Sequence, residues 1–389
     1  MKREGFLPDR RELLVKTPEG VWAFVPPDLP PALEPSWELL GAVTAAERAL
    51  SELVGIARTL PNPHLLIGSF VRKEAVLSSK IEGTQASFSD LVFFEAGGMV
   101  FSPLADVQEV ANYINALNHG LARRAEIPVC LRLIREIHAV LMQGVRGQNL
   151  APGEFRRSQV FIGSTGGRIE DATYVPPPPG QELDRALGAF EEFLHKGSPL
   201  PELVRLALAH YQFEAIHPFM DGNGRIGRLL LTLLLCDWGL LNQPLLYLSA
   251  YFERHRQEYY RLLLEVSQHE AWEPWVLFFL RGVAEQSLDG VARAHKLQDL
   301  WRGYRERLQT AGASGRALKL VDSLFARPVL TIPQAEQELD LTYRGAQLVV
   351  NKLADQGVLE EVPEEYRGRT RLYWAPGIVE IMMDEELED

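Results

Sequence analysis

His217 to Arg228 reads "HPFMDGNGRIGR", which places one histidine, one acid, three glycines, one asparagine and two arginines within twelve residues. The apolar run "LVRLALAHYQFEAIH" leads up to it, so His217 closes a helix. Pro218 biases His217 away from right-handed helical angles and turns it into a loop. A neutral imidazole, with its ordinary pKa near ~6.5, is available there as a base. Gly222, Asn223 and Gly224 form a turn with little side-chain bulk, whose backbone N–H groups can approach an anion closely. The helix that starts near Gly224 directs its positive end at the same spot. Arg225 and Arg228 are three apart and share a face of its first turn, flanking Ile226 and Gly227. Guanidiniums suit phosphate oxygens. Asp221 supplies a hard oxygen ligand of the kind that holds Mg²⁺ beside phosphates. Phe219 reads as a core anchor. The combination is a polyphosphate cradle with a base at its edge, suited to moving a phosphorus-centred group onto a hydroxyl.

The rest of the chain bounds this reading. At 389 residues it is long enough for two or three domains. A net charge of -12 argues against a nucleic-acid-coating role. The two cysteines, Cys130 and Cys236, each sit in an apolar run and read as buried thiols of a reducing compartment. "MKREGFLPDR" has no apolar signal core. "LLLTLLLCDWGLL" is too short for a membrane span and carries Asp237. A soluble, cytoplasmic protein is expected.

Residues 1 to about 36 are proline-rich and read as an extended arm. Helices are expected from Trp37 to about Leu60, from about Pro63 to Glu82 with Gly83 as the stop, and over about 106–124 and 130–144. "SQVFIGSTGGRIEDATYVPPPP" has β-branched and aromatic residues around a small-residue centre and reads as a β-hairpin. Helices resume at about 181–196 and 200–215, continue through the apolar run ending near Gly239, and fill about 250–309. "TAGASGRA", 310–317, reads as a linker. Three helices and a strand-turn-strand pattern follow, the order of a winged helix.

The loop resembles the signature of Fic-domain proteins, His-Pro-Phe-x-Asp-Gly-Asn-Gly-Arg-x-x-Arg, at every fixed position. The likeness extends from about residue 30 to 300. It implies a mostly α fold: an N-terminal arm and inhibitory helix region (1–105), a Fic catalytic core with a β-hairpin flap and following helices (106–309), and a C-terminal winged-helix domain (315–378). It also implies an adenylyltransferase that moves AMP from ATP, with Mg²⁺, to a Ser, Thr or Tyr hydroxyl of a protein. Carried over, His217 deprotonates the acceptor, and Asp221 holds Mg²⁺ bridging the α- and β-phosphates. Gly222, Asn223 and Gly224 form the anion hole. Arg225 and Arg228 bind the outer phosphates, Arg228 the γ-phosphate, and Ile226 and Gly227 complete the ATP-binding stretch. "VFIGSTGGRIEDATYVPPPP" resembles the flap that pins a target segment by strand addition. "GEFR", 153–156, matches a structural stretch before that flap. "YLSAYFERHRQEYY" resembles a segment near the adenine pocket, with Tyr260 as the nucleotide contact or as a packed aromatic.

A second signal lies far upstream, in "SSKIEG". Ser78 and Glu82 are four apart and share a helix face. A carboxylate at a helix end opposes the helix dipole and calls for a cation. Ser-x-x-x-Glu-Gly resembles the inhibitory-helix motif of Fic proteins. It implies that Glu82, with Ser78 hydrogen-bonding nearby, competes with the γ-phosphate for Arg228. Self-modification and a homodimer are compatible with this reading; a membrane partner is not. One rival is a DNA-binding regulator that reads DNA with a helix at about 342–355 and uses the Fic core as a sensor. Residues 340–375 hold five Arg or Lys against six Asp or Glu, which disfavours it, although Arg367, Arg369 and Arg371 cluster in the wing. Another rival keeps the fold and removes AMP or transfers a different phosphate-containing group.

Overall fold

The computed structural model describes residues 1–59, 64–164, 166–364 and 370–384. An antiparallel pair, β1 (Leu14–Lys16) and β2 (Trp22–Phe24), precedes α1 (Trp37–Thr59), α2 (His64–Ile81), α3 (Phe88–Glu95), α4 (Leu104–Arg123) and α5 (Leu131–Leu141). An irregular stretch leads to α6 (Gln181–His195), α7 (Glu202–Ile216), α8 (Asn223–Asp237), α9 (Ser249–Arg254), α10 (Arg256–His269), α11 (Trp272–Thr310) and α12 (Gly315–Ala326). The tail then runs β3 (Val329–Thr331), α13 (Ile332–Leu339), α14 (Tyr343–Asp355), β4 (Glu360–Glu361), β5 (Leu372–Trp374) and α15 (Pro376–Met383). Its strands form one antiparallel sheet in the order β3-β5-β4. The mostly helical class expected from apolar periodicity is the class that forms. No described helix is long and apolar enough to cross a membrane.

The chain divides into two compact units. The first comprises Met1–Ala49, Asn112–Asn242 and Leu248–Glu285. Its central helices are α7 and α8, which are buried on nearly every face and therefore lack a polar stripe. Amphipathic α5 buries Leu133, Ile134, Ile137, His138 and Leu141, the one-sided spacing of a helix that covers a core. Trp275 anchors α11 by donating its indole N–H to the Ala207 carbonyl of α7 at 2.9 Å. The second unit comprises Leu50–Ala111, Gln243–Tyr247 and Gln286–Asp389. There α2 is gripped at the carbonyl ends of tail helices. Ser69 Oγ donates to Phe325 O at 3.1 Å and Arg72 Nη1 to Ala326 O at 2.8 Å, both at the end of α12. Lys73 Nζ donates to Met382 O of α15 at 2.9 Å. Cations suit these sites because the last carbonyls of a helix have no partner within it.

Several expectations change. The proline-rich arm is not simply extended, because residues 14–24 pair as a hairpin and Phe6, Ala23 and Phe24 are fully buried. Helix α3 has too few residues for a clear period, and a capping box between Ser87 and Asp90 starts it. The expected hairpin at 158–179 is reduced to one bridge, Ile162 with Tyr174. The Thr173 hydroxyl bonds the Gly163 carbonyl at 2.8 Å and a 3-10 turn spans Ile169–Asp171, so local bonds replace a longer ladder. The linker shortens to 311–314, since α12 begins at Gly315 under a Ser314 cap. Cys236 is buried as expected, while Cys130 is only half-buried.

Candidate active site

Helix α7 ends at His217, whose φ of 49° and ψ of 63° put a non-glycine residue in the left-handed region. Such a conformation persists only where neighbours impose it. Here the His217 N–H donates to Phe213 O at 3.0 Å, and its carbonyl accepts from Arg156 Nε at 2.8 Å. Arg156 is itself buried and also donates to Ile216 O at 3.3 Å and Pro177 O at 2.6 Å. Burial lowers its pKa to about 10. The "GEFR" stretch is thus a strut beneath the candidate base, the structural role the sequence suggested.

The loop that follows closes on itself. Asn223 Oδ1 accepts from the Phe219 N–H and Asn223 Nδ2 donates to the Phe219 carbonyl, both at 2.8 Å. Its buried side chain is therefore a loop clamp, while its backbone belongs to the first turn of α8. Gly222 takes the left-handed N-cap position, φ 77°, and no side chain caps the helix start. The first amides of such a helix have no intrahelical acceptor. Asp221 Oδ1 accepts from the Gly222 N–H at 2.6 Å and lies 3.7 Å from Arg225 Nη2. Arg225 and Arg228 are both buried, and Arg225 reaches Met142 Sδ at 3.9 Å. Ile226 is buried and donates its N–H to Gly222 O at 3.0 Å. Gly227 lets α8 pass α7, since a Cβ there would overlap Glu214. His217, Asp221 and the arginines thus share one turn between two buried helices.

Two buried histidines touch this turn, and neither carries a local sequence signal. His138 of α5 lies flat on Phe219, with ring centroids 3.7 Å apart and planes 2° from parallel. It meets the Gly153 N–H and the Asp221 carbonyl. Burial, with Arg225 adding repulsion, lowers its pKa to about 4, so the ring is neutral at pH 7. His210 of α7 contacts the Gly227 carbonyl at 3.3 Å and the Tyr259 hydroxyl at 2.8 Å. Burial and then Arg228 lower its pKa to about 3. Tyr259 is thus the residue of "YLSAYFERHRQEYY" linked to α8. Its neighbour Tyr260 is 42% exposed beneath Arg256.

Ser78 and Glu82 belong to the second unit. Ser78 is buried in α2, and Glu82 is exposed in the turn after it, just before Gly83 with its φ of 98°. Arg371 lies 3.8 Å from Glu361, while Arg367 and Arg369 fall outside the described residues.

Residues 40–122 match the family described as Fic/DOC family N-terminal, and residues 128–235 match Fic/DOC family. Proteins named "Protein adenylyltransferase Fic" are similar over part of this chain. The one from Drosophila willistoni is 34% identical over 179 residues, 46% of this chain and 31% of that protein. The one from Aedes aegypti is 36% identical over 163 residues, 41% of this chain and 29% of that protein. The chain therefore spans about a third of the length of the curated relatives it matches. A crystal structure described as a Fic family protein from Desulfovibrio desulfuricans G20 superposes with a TM-score of 0.57 at 21% identity, covering 89% of this chain and 98% of that one. The two share a fold.

Proposed function

This chain carries a Fic domain behind a Fic/DOC N-terminal region, and from that premise we propose that it transfers AMP from ATP to a Ser, Thr or Tyr hydroxyl of a protein. The observation that carries the reading is the position of His217, imposed by Arg156 at the mouth of the loop that starts α8. Neutral His217 takes the proton of the acceptor hydroxyl. The freed oxygen attacks the α-phosphorus of ATP, its bond to the bridging oxygen breaks, and pyrophosphate leaves. The turn Gly222-Asn223-Gly224 cradles the phosphates, with the first-turn amides of Asn223 and Gly224 donating to them and Arg225 and Arg228 neutralising the outer ones. Asp221 suits Mg²⁺ held beside phosphates, because its carboxylate is 33% exposed at the start of α8. One carboxylate is enough when phosphates and water complete the shell. Bound there, the cation would offset charge on the α- and β-phosphates.

The relatives' printed name and the Ser-x-x-x-Glu-Gly stretch support two finer points. The acceptor is a protein, and Glu82 with Ser78 restrains transfer by competing with the γ-phosphate for Arg228. Tyr260 is the proposed nucleotide contact on α10. In the tail, the order helix, strand, helix, helix, strand, strand with sheet order β3-β5-β4 supports a winged helix. The charge of residues 340–375, five Arg or Lys against six Asp or Glu, favours a protein partner over DNA there.

The test is label transfer with a cell lysate, with the protein itself as a second acceptor. α-Labelled ATP labels protein and γ-labelled ATP does not. The His217→Ala variant loses transfer by about 10²-fold or more while binding ATP like wild type. Label from the γ-position, or full activity without His217, overturns the reading.

A further inference from the structure

We propose that His138 and Gly147 are positioning residues that aim the Asp221 carboxylate, a role that rests on the nucleotide reading above. His138 sits on rigid α5 and is 2% exposed. Its Nδ1 lies 2.8 Å from the Gly153 nitrogen, whose N–H can only donate. Nδ1 is therefore the acceptor, and the neutral ring carries its proton on Nε2. That proton goes to the Asp221 carbonyl, 3.0 Å away and 83 residues along the chain. The ring's stack on Phe219 fixes its plane. His138 therefore ties the main chain of Asp221 to a helix and, through Gly153, to the strut that ends at Arg156.

Gly147 acts on the carboxylate itself. Its φ is 84°, and a Cβ built there would lie 2.7 Å from Asp221 Oδ2 and 2.7 Å from Met142 Cε. The φ favours glycine, and any side chain here would have to displace the Asp221 carboxylate or the end of Met142. With Oδ1 held by the Gly222 N–H at 2.6 Å, the carboxylate is confined from two sides. Partners that orient a metal ligand matter to its affinity, and losing one typically costs about 10–100-fold.

The experiment measures ATP affinity with Mg²⁺ and with EDTA, and takes the ratio as the metal gain. In His138→Gln the amide reaches the Nε2 position and keeps the donor to Asp221. In His138→Asn it reaches only the Nδ1 position and keeps only the Gly153 bond. Both lose the aromatic ring equally, so a packing role predicts equal gains. The Gln variant is expected to keep the wild-type gain, and the Asn variant to lose about tenfold of it. Equal gains in the two variants overturn the role of His138. If the Asn variant does not fold, Gly147→Ala carries the test. It is expected to cut the gain by a similar factor, about tenfold, and an unchanged gain overturns the proposal. Asp221→Ala serves as the reference. If it keeps the full metal gain, the reading of Asp221 as the metal ligand fails; if it abolishes the gain while His138→Asn and Gly147→Ala keep theirs, only the positioning role fails.

Discussion

His210 shows how one buried ring ties separate helices together. Gly227 O can only accept, so Nδ1 carries the proton and Nε2 accepts from the Tyr259 hydroxyl. Phe252, Tyr259, Trp275 and Phe279 surround the ring and exclude water. Unfolded, His210 takes a proton as pH falls through the ordinary histidine value of 6.5; folded, it resists until about pH 3. Between those values protons favour the unfolded chain, so stability is full above pH 6.5 and falls as the solution is acidified. Glu136, held at about 2 by Arg123, adds loss of the same sign below the ordinary glutamate value of 4.5. Urea denaturation at pH 7 and pH 5 spans the histidine window, in which His138 and His210 both lose stability, and a variant at 210 separates the two. His210 contributes about 2 kcal/mol of lost stability over that interval. His210→Gln can bond but not titrate, and its loss should be smaller by about that amount. Identical losses in the two proteins would remove His210 from the account.

Among the elements, α8 is closely packed on the α4 side. Gly120 of α4 approaches it so closely that a Cβ would lie 2.8 Å from Leu233 Cδ1 and 3.0 Å from Ile137 Cδ1. Leu233 and Ile137 are both fully buried and have nowhere to move. An alanine at 120 gains about 1 kcal/mol of helix propensity but overpacks the junction at a cost of about 1–3 kcal/mol. Gly120→Ala is therefore expected to lower stability by up to about 2 kcal/mol, read as a fall in Tm. A rise in Tm would show that the junction relaxes freely and that propensity dominates. The same economy of space explains Gly227, where α8 crosses Glu214 and Phe213 of α7.

For the whole molecule the open quantity is restraint. Helix α2 carries Ser78, leads directly into Glu82, and is held by tail helices at Ser69, Arg72 and Lys73. If Glu82 competes with ATP, Glu82→Gly raises label transfer from α-labelled ATP several-fold, on the protein itself and on lysate proteins. Transfer equal to wild type would sink that restraint and leave the transfer chemistry standing. The net charge of -12 sets the expectation for partners at this scale, since long-range repulsion opposes general association with nucleic acid.

Local chemistry was legible from the chain alone. Pro218 after His217, the glycines around Asn223 and the paired arginines each act through near neighbours, so their spacing announced the turn and the helix start. The helices and closing strands of the tail were visible for the same reason, as was the stop at Gly83. What only the tertiary structure decided were the contacts that no period encodes. The Asn223 side chain closes its own loop, and Arg225 is buried against Asp221 and Met142. His138 and His210 looked like ordinary members of apolar helices, and the turn holding Gly147 looked like a plain connection. Their partners lie far along the chain, 83 residues away for His138 and 49 for His210. Hydrogen-bond direction and van der Waals room are set by packing in three dimensions, and a one-dimensional pattern carries neither.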